Sequence, residues 1–188
     1  LEPSNRPVFE EGGGSMGDTL ELLKQCHKRF GWGILLAFPE DFLAFYNGGL
    51  CLDIGCNVCM LADVVGRERY IGIDIAYYGD HKGTFILADG QKLPFKDEAF
   101  DFVSMIETLE HLPDPYCCLK EVHRVLRKGG RLYIQTVEAN SPEAERDPTH
   151  VQSFHIWSLG RLLKTVFGGL FGTVEQNGGT LIAKVTKQ

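Results

Sequence analysis

The sequence predicts a doubly wound α/β domain: a mostly parallel seven-stranded sheet with an antiparallel C-terminal strand and helices on both faces. Three observations carry this. Short apolar runs alternate with helical stretches, the pattern of a parallel sheet. The first four runs each lead into an acidic residue: Asp53, Asp74, Asp89 and Glu107. Only the last two runs meet at a tight turn, Asn177-Gly178-Gly179, which suits an antiparallel hairpin.

With 188 residues, 44% of them hydrophobic, the chain can bury one core and has little material for a second, so a single domain over residues 16–188 is expected. Residues 1–15 hold two prolines, three acids and the run Gly12-Gly13-Gly14-Ser15, the composition of a flexible leader, a cloning remnant or a disordered arm. Asp18 caps a predicted helix reaching about Phe30, with Leu20, Leu22, Leu23, Cys26 and Phe30 giving an apolar stripe. A second short helix starts near Pro39. Residues 50–55 read as a buried strand, followed by helix through about 60–65. Residues 70–74, 84–87 and 100–106 read as the next three strands, and the stretch from 75 to 83 is too short for a full crossover helix. Residues 113–127 form an amphipathic helix closed by Gly129-Gly130. A strand over 131–137, a helix over 157–166, and closing strands over 171–175 and 180–185 complete the chain.

Composition narrows the function. A net charge of −6 and a pI near 5.5 provide no cationic surface for phosphates, so duplex DNA is disfavoured as a partner. No apolar run reaches the roughly 20 residues of a membrane span, and the expectation is a soluble cytoplasmic protein, monomeric or homodimeric, with no membrane partner. Six cysteines in a chain of this size read as reduced thiols, and Cys56-x-x-Cys59 as small residues in a tight turn rather than half of a zinc site.

Ligands of an open parallel sheet bind at the carboxyl ends of its strands. Four acids there call for a ligand that is cationic or rich in hydroxyl and amino groups. A phosphate ligand would need a glycine-rich loop in a positive setting, and Gly-x-Gly-x-x-Gly is absent after the first strand. S-adenosylmethionine has no phosphate and offers a sulfonium, an amine, a ribose diol and an adenine amine, so it is the expected cofactor.

Five blocks occur in order: 52–56 (Leu-Asp-Ile-Gly-Cys), Ile73-Asp74, 88–90 with 93–95 and Phe100-Asp101, Glu110-His111-Leu112, and 126–130 (Leu-Arg-Lys-Gly-Gly). In these the chain resembles the class I S-adenosylmethionine-dependent methyltransferases, particularly the type 11 branch, with a Rossmann-like fold; the likeness is close over about residues 50–137. The resemblance implies Asp53 and Gly55 beside the methionine moiety, Asp74 on the ribose hydroxyls, Asp89 on the adenine amine and Ile106 in the pocket wall, with Cys56, Asn57, Ile75 and Gly90 adjoining. Taken singly, Asp53 also reads as a helix cap, Asp74 as a turn former and Asp89 as an Asx-turn residue. The chain departs from the family where two further glycines are usual and Asn57 and Cys59 stand instead. Asn tolerates a left-handed backbone, whereas the Cys59 side chain would sit where the following helix approaches the ligand.

Methyl transfer requires the acceptor to be held against the methyl and, for a hydroxyl, a proton to be removed. Glu107, His111 and His150 are the catalytic candidates, with His155 nearby. Glu107, Glu110, His111 and His150 also have a composition that could hold a divalent ion, although the expectation is no metal site. Residues 147–150 with Phe154, Ile156 and Trp157 read as a flap over the acceptor, with Trp157 packed into the core. The acceptor pocket should come from residues 18–46 and 138–157, and an unidentified small molecule is the expected acceptor. A degenerate, non-catalytic partner subunit and a metal-assisted RNA or catechol O-methyltransferase are the alternatives.

Overall fold

In the computed structural model, the described residues are 39–169 and 172–188; the expected leader and the helix predicted over 18–30 lie outside them. The elements are α1 (Pro39–Phe45), β1 (Cys51–Ile54), α2 (Ala62–Val65), a 3-10 turn (Arg67–Arg69), β2 (Tyr70–Asp74), β3 (Thr84–Leu87), β4 (Phe100–Ile106), a second 3-10 turn (Leu109–His111), α3 (Pro115–Val125), β5 (Leu126–Val137), α4 (Pro142–Arg146), α5 (Ile156–Phe167), β6 (Gly172–Asn177) and β7 (Thr180–Thr186). The strands form one sheet in the order β3-β2-β1-β4-β5-β7-β6. The first five strands pair in parallel, and β7 runs antiparallel to both β5 and β6.

The pleat sends alternate residues of the central strands to opposite faces. Leu52 and Ile54, Val103 and Met105, and Leu132 and Ile134 share one core with Leu119 and Val122 of α3 and Leu159 and Leu163 of α5. Cys51, Phe102 and Tyr133 point the other way, into a core with Phe42 of α1 and with Leu61, Ala62 and Val65. The Phe42 ring meets Phe102 and Tyr133 edge-on, at centroid distances of 5.4 and 5.1 Å. Lys184 on β7 binds Asp41 at 3.1 Å, and Arg131 on β5 donates to the Phe45 carbonyl at 2.9 Å, so both ends of α1 are tied to the sheet.

The predicted strands over 70–74, 84–87 and 100–106 form with those bounds. The helix expected after β1 over about 60–65 forms as Ala62–Val65, and the left-handed backbone of Asn57 and Cys59, at φ 49° and 59°, keeps it from reaching back toward the strand. The Gly129-Gly130 expectation is corrected. The α3 helix stops at Val125, and both glycines lie inside β5, which starts at Leu126. The amide of Gly129 donates to the Lys187 carbonyl at 2.8 Å, Lys187 donates back to Gly130 at 2.9 Å, and Lys187 Nζ donates to the Leu126 carbonyl at 2.6 Å. These contacts with the C-terminal end of the described chain hold residues 126–130 extended. Trp157 is likewise corrected: it is 85% exposed. The buried face of α5 carries Leu159, Leu163 and Phe167, and a residue two positions before Leu159 falls on the opposite side of the helix.

No helix spans the connections 75–83 or 88–99, so β3 is joined to its neighbours by loops alone. Arg124 of α3 fastens the second loop. Its guanidinium donates to the carbonyls of Leu93 (3.1 Å) and Phe95 (2.8 Å), to Asp97 (2.8 Å) and to both oxygens of Glu121 (2.8 Å each). Glu121 in turn accepts from the Leu93 amide at 2.8 Å. Charge-assisted bonds of this kind make Arg124→Ala destabilising by about 2–3 kcal/mol in urea unfolding, with faster amide exchange over residues 91–99. Unchanged exchange there would show that the loop is held by its own turns.

Candidate functional site

The carboxyl ends of β1, β2, β3 and β4 lie side by side, because the parallel order places β1 between β2 and β4. Directly after β1, Gly55 turns the chain at φ +75°, and its amide and that of Cys56 both donate to the Ile73 carbonyl, at 2.9 and 3.0 Å. A Cβ on Gly55 would meet Thr108 Oγ1 at 2.3 Å. That hydroxyl lies 3.0 Å from the carbonyls of Ile54 and Ile106, bridging the ends of β1 and β4. Only glycine meets both the backbone and the steric requirement.

Around this turn stand the residues assigned to the cofactor. Asp74 accepts the Asn57 amide on Oδ2 at 3.0 Å and the Ala76 amide on Oδ1 at 3.2 Å, so its carboxylate is fixed at the end of β2 with further lone pairs open. Asp89 is exposed and takes the Gln91 amide at 2.8 Å, an Asx-type turn at the end of β3. Gly90 is buried against Ile54. Ile75 and Leu87, beside those acids, are 76% and 63% exposed. Ile106 is partly buried against the core on the α1 side, and Cys56 is buried there.

Cys59 departs from expectation. Its side chain is fully buried in that same core, and its sulfur lies 3.5 Å from the Cys56 sulfur, so it turns inward from the loop. Asn57 supplies the left-handed step that glycine usually makes. Cys51, Cys56, Cys59, Cys117 and Cys118 are free thiols.

Asp53 is buried on the α1 side of the sheet, accepting from Tyr70 Oη at 2.7 Å and Ser104 Oγ at 2.8 Å. Burial is the largest influence on it and pushes its pKa up to about 6, against the lowering effect of those two bonds.

A second group of polar residues sits where β4 ends. Glu107 has a left-handed backbone, φ 48°, and its carboxylate accepts from Gln135 Nε2 at 2.8 Å. Burial, and secondarily the neighbouring Glu110 carboxyl, push its pKa up to about 7. Glu110 is fully buried and accepts from Thr136 Oγ1 at 2.7 Å. The 147–152 segment is clasped onto this point: the Val151 and Gln152 amides both donate to the Glu110 carbonyl at 3.0 Å. That contact brings the His111 and His150 rings to a centroid distance of 4.8 Å. The sequence candidates Glu107, Glu110, His111 and His150 are thus gathered at one place.

One pair escaped the sequence reading. Glu138 is buried just after β5 and binds His155 Nδ1 at 2.9 Å; this bond holds its pKa below the usual carboxylate range. The available signal was position: Glu138 follows the fifth strand as the other four acids end or follow theirs. Its partner lies 17 residues on, and no local pattern joins the two.

A seven-stranded sheet in this order, with a glycine turn after β1 and acids at its strand ends, defines a class I methyltransferase fold. Residues 52–134 match the family described as a methyltransferase domain. Over those residues the chain is similar to the class I S-adenosylmethionine-dependent methyltransferases of the type 11 branch. It is 30% identical over 168 residues to methyltransferase GfsG of Streptomyces halstedii, covering 88% of this chain and 58% of that one. It is 37% identical over 122 residues to the demethylmenaquinone methyltransferase of Listeria monocytogenes, covering 64% of this chain and 46% of that one. The chain therefore spans about half the length of these relatives. A solved SAM-dependent methyltransferase of Thermotoga maritima, described as a possible histamine N-methyltransferase, has the same fold, with a TM-score of 0.69, 21% identity, and coverage of 79% of this chain and 87% of that one. Among the described residues, no helix is long and apolar enough to cross a membrane.

The Asp53 environment predicts a pH effect on the unliganded domain. Its folded pKa of about 6 lies above the unfolded value, so the folded state holds the extra proton between the two. Stability from this group is complete below about pH 4 and is lost as pH rises through about 6, a difference of up to about 3 kcal/mol at ~1.4 kcal/mol per pKa unit. Asp53→Asn does not titrate. Relative to this variant, the wild-type unfolding free energy should fall by up to that amount between about pH 4 and pH 8; a flat difference would show that the buried carboxyl is not desolvated as described.

Proposed function

We propose that this domain binds S-adenosylmethionine at the carboxyl ends of β1 to β4 and transfers its methyl group to a small-molecule acceptor. The observation that carries the reading is the Gly55 turn with Asp74 oriented beside it. Thr108 packs where a Cβ on residue 55 would stand, so the turn is held tight against the end of β4, and the Asp74 carboxylate is fixed beside it by two backbone amides. Asp74 would receive the ribose hydroxyls and Asp89 the adenine amine, with Ile75 and Leu87 offering apolar surface for the flat base. Gly55, Cys56 and Asn57 would carry the methionine end through their backbone, Asp53 would support the turn from beneath, and Gly90 and Ile106 would close the wall. When bound, the cofactor supplies an electrophilic methyl group on a sulfonium sulfur.

The chain's own task is then to orient the acceptor, exclude water and accept a proton where the nucleophile carries one. We assign that task to Glu107, His111 and His150 at the end of β4 and to His155 beside β5. The Glu138 carboxylate on Nδ1 of His155 orients its ring and leaves Nε2 as the free ring nitrogen. A small-molecule acceptor is supported by the relatives, among them the Listeria demethylmenaquinone methyltransferase and a ubiquinone biosynthesis O-methyltransferase of Paracidovorax citrulli, 28% identical over 163 residues. The degenerate-subunit alternative loses its motive, because Asn57 keeps the left-handed turn and the Cys59 side chain points into the core.

The test is calorimetric titration with S-adenosylhomocysteine. Asp74→Ala should weaken binding about 5- to 100-fold, the loss of a hydrogen bond to a charged group, with the unfolding midpoint little changed. Unchanged affinity would overturn the assignment of the ribose site.

A further inference from the structure

We propose that Glu110, His111 and His150 form a binding site for one divalent metal ion of the zinc, cobalt and manganese class, against the sequence expectation of none. One ligand atom from each of the three lies within 4.8 Å of the others. Ligand atoms on one tetrahedral ion at ~2.0–2.2 Å stand about 3.4 Å apart, so capture needs these side chains to close by up to about 1.4 Å, a movement the two partly exposed histidines can make.

Three independent features fit the role. First, Glu110 is fully buried and Thr136 occupies Oε2, while Oε1 has no hydrogen-bond partner other than the neighbouring Glu107 carboxyl, with which Glu110 can share a proton. A buried oxygen left without a partner is costly, and a cation beside it removes that cost. Second, both histidines are held in a tautomer that leaves a ring nitrogen free for a metal. His150 Nδ1 sits 3.0 Å from the Ala144 carbonyl, which can only accept, so Nδ1 carries the proton and Nε2 presents its lone pair. His111 Nδ1 sits 3.2 Å from the Thr149 carbonyl and 3.0 Å from its hydroxyl, which fixes the same tautomer. Third, an outer layer holds this arrangement in place: Thr149 donates its hydroxyl and its amide to Asp147 Oδ1, at 2.5 and 2.8 Å. Imidazoles whose second nitrogen donates to a carbonyl are the usual form of metal-binding histidine.

The donor set selects the ion. Two imidazoles and a carboxylate suit zinc, cobalt or manganese, whereas magnesium and calcium prefer oxygen alone. Glu107, held by Gln135 at the same strand end, is close enough to Glu110 to influence its ionisation and stands as the nearest further carboxylate. The ion would tie the 147–150 segment to the end of β4, beside the proposed acceptor position; with it bound, His111 and His150 have no free lone pair, and the proton-accepting role falls to Glu107 or His155.

The experiment is calorimetric titration of the metal-stripped chain with zinc, manganese and magnesium chloride, elemental analysis of the zinc-loaded protein, and visible spectroscopy with cobalt. The expected result is one zinc per chain, tighter than manganese and far tighter than magnesium, with cobalt giving visible ligand-field bands. His111→Ala and His150→Ala, both partly exposed positions, should each weaken zinc at least tenfold and leave S-adenosylhomocysteine affinity unchanged. Absence of stoichiometric zinc, or undiminished zinc binding in the double histidine variant, would overturn the site. S-adenosylhomocysteine titrated against the same samples separates the two readings: metal without cofactor sinks only the proposed methyl transfer, and cofactor without metal sinks only this site.

Discussion

The close approach of Gly55 to Thr108 governs how the strand ends are used. The Thr108 hydroxyl bridges the carbonyls of Ile54 and Ile106, and it can do so only because residue 55 has no Cβ. The same glycine turns the chain away from the sheet, so the Asn57 amide comes back onto Asp74 at the end of β2. One contact therefore sets the separation of β1 and β4 and orients the acid on β2. The residues proposed for the cofactor are distributed over four strands, yet they form one edge because this parallel order brings the carboxyl ends together.

Support beneath that edge is polar on one face and apolar on the other. Toward α3 and α5 the pleat presents mainly apolar residues, whose burial supplies the sheet's main apolar contact. Toward α1 it presents Asp53, Ser104 and Gln135 near the strand ends, each tied to a neighbour: Tyr70 and Ser104 hold Asp53, and Gln135 holds Glu107. Buried carboxyls cost stability when ionised, and Asp53 and Glu107 both carry raised pKa values for that reason. The cost is concentrated where the sheet meets its ligands, as is common at sites that bind or react.

Much of this was legible from the chain alone, because β-sheet and cofactor edge are written locally. The strands at 70–74, 84–87 and 100–106 are apolar runs that lead into an acid, whereas their order in the sheet comes from the structure. What was not legible depends on partners distant in sequence. Leu126 to Gly130 read as a helix end until Lys187, about 60 residues later, pairs with them. The loop after β3 has no helix, and its anchor is a single arginine on α3. Trp157 looked like core because of its type, and helical phase placed it outside. The polar cluster at the end of β4 could be listed from sequence, but its assembly rests on the Val151 and Gln152 amides reaching the Glu110 carbonyl, a backbone contact with no side-chain signature.

The most direct measurement of the central claim is amide hydrogen exchange of the chain with and without S-adenosylhomocysteine. If the strand-end edge is the cofactor site, protection should rise over residues 53–58, 74–77, 88–91 and 105–108 and stay unchanged in β6 and β7. Protection absent from all four segments, or confined to elements away from that edge, would contradict the account.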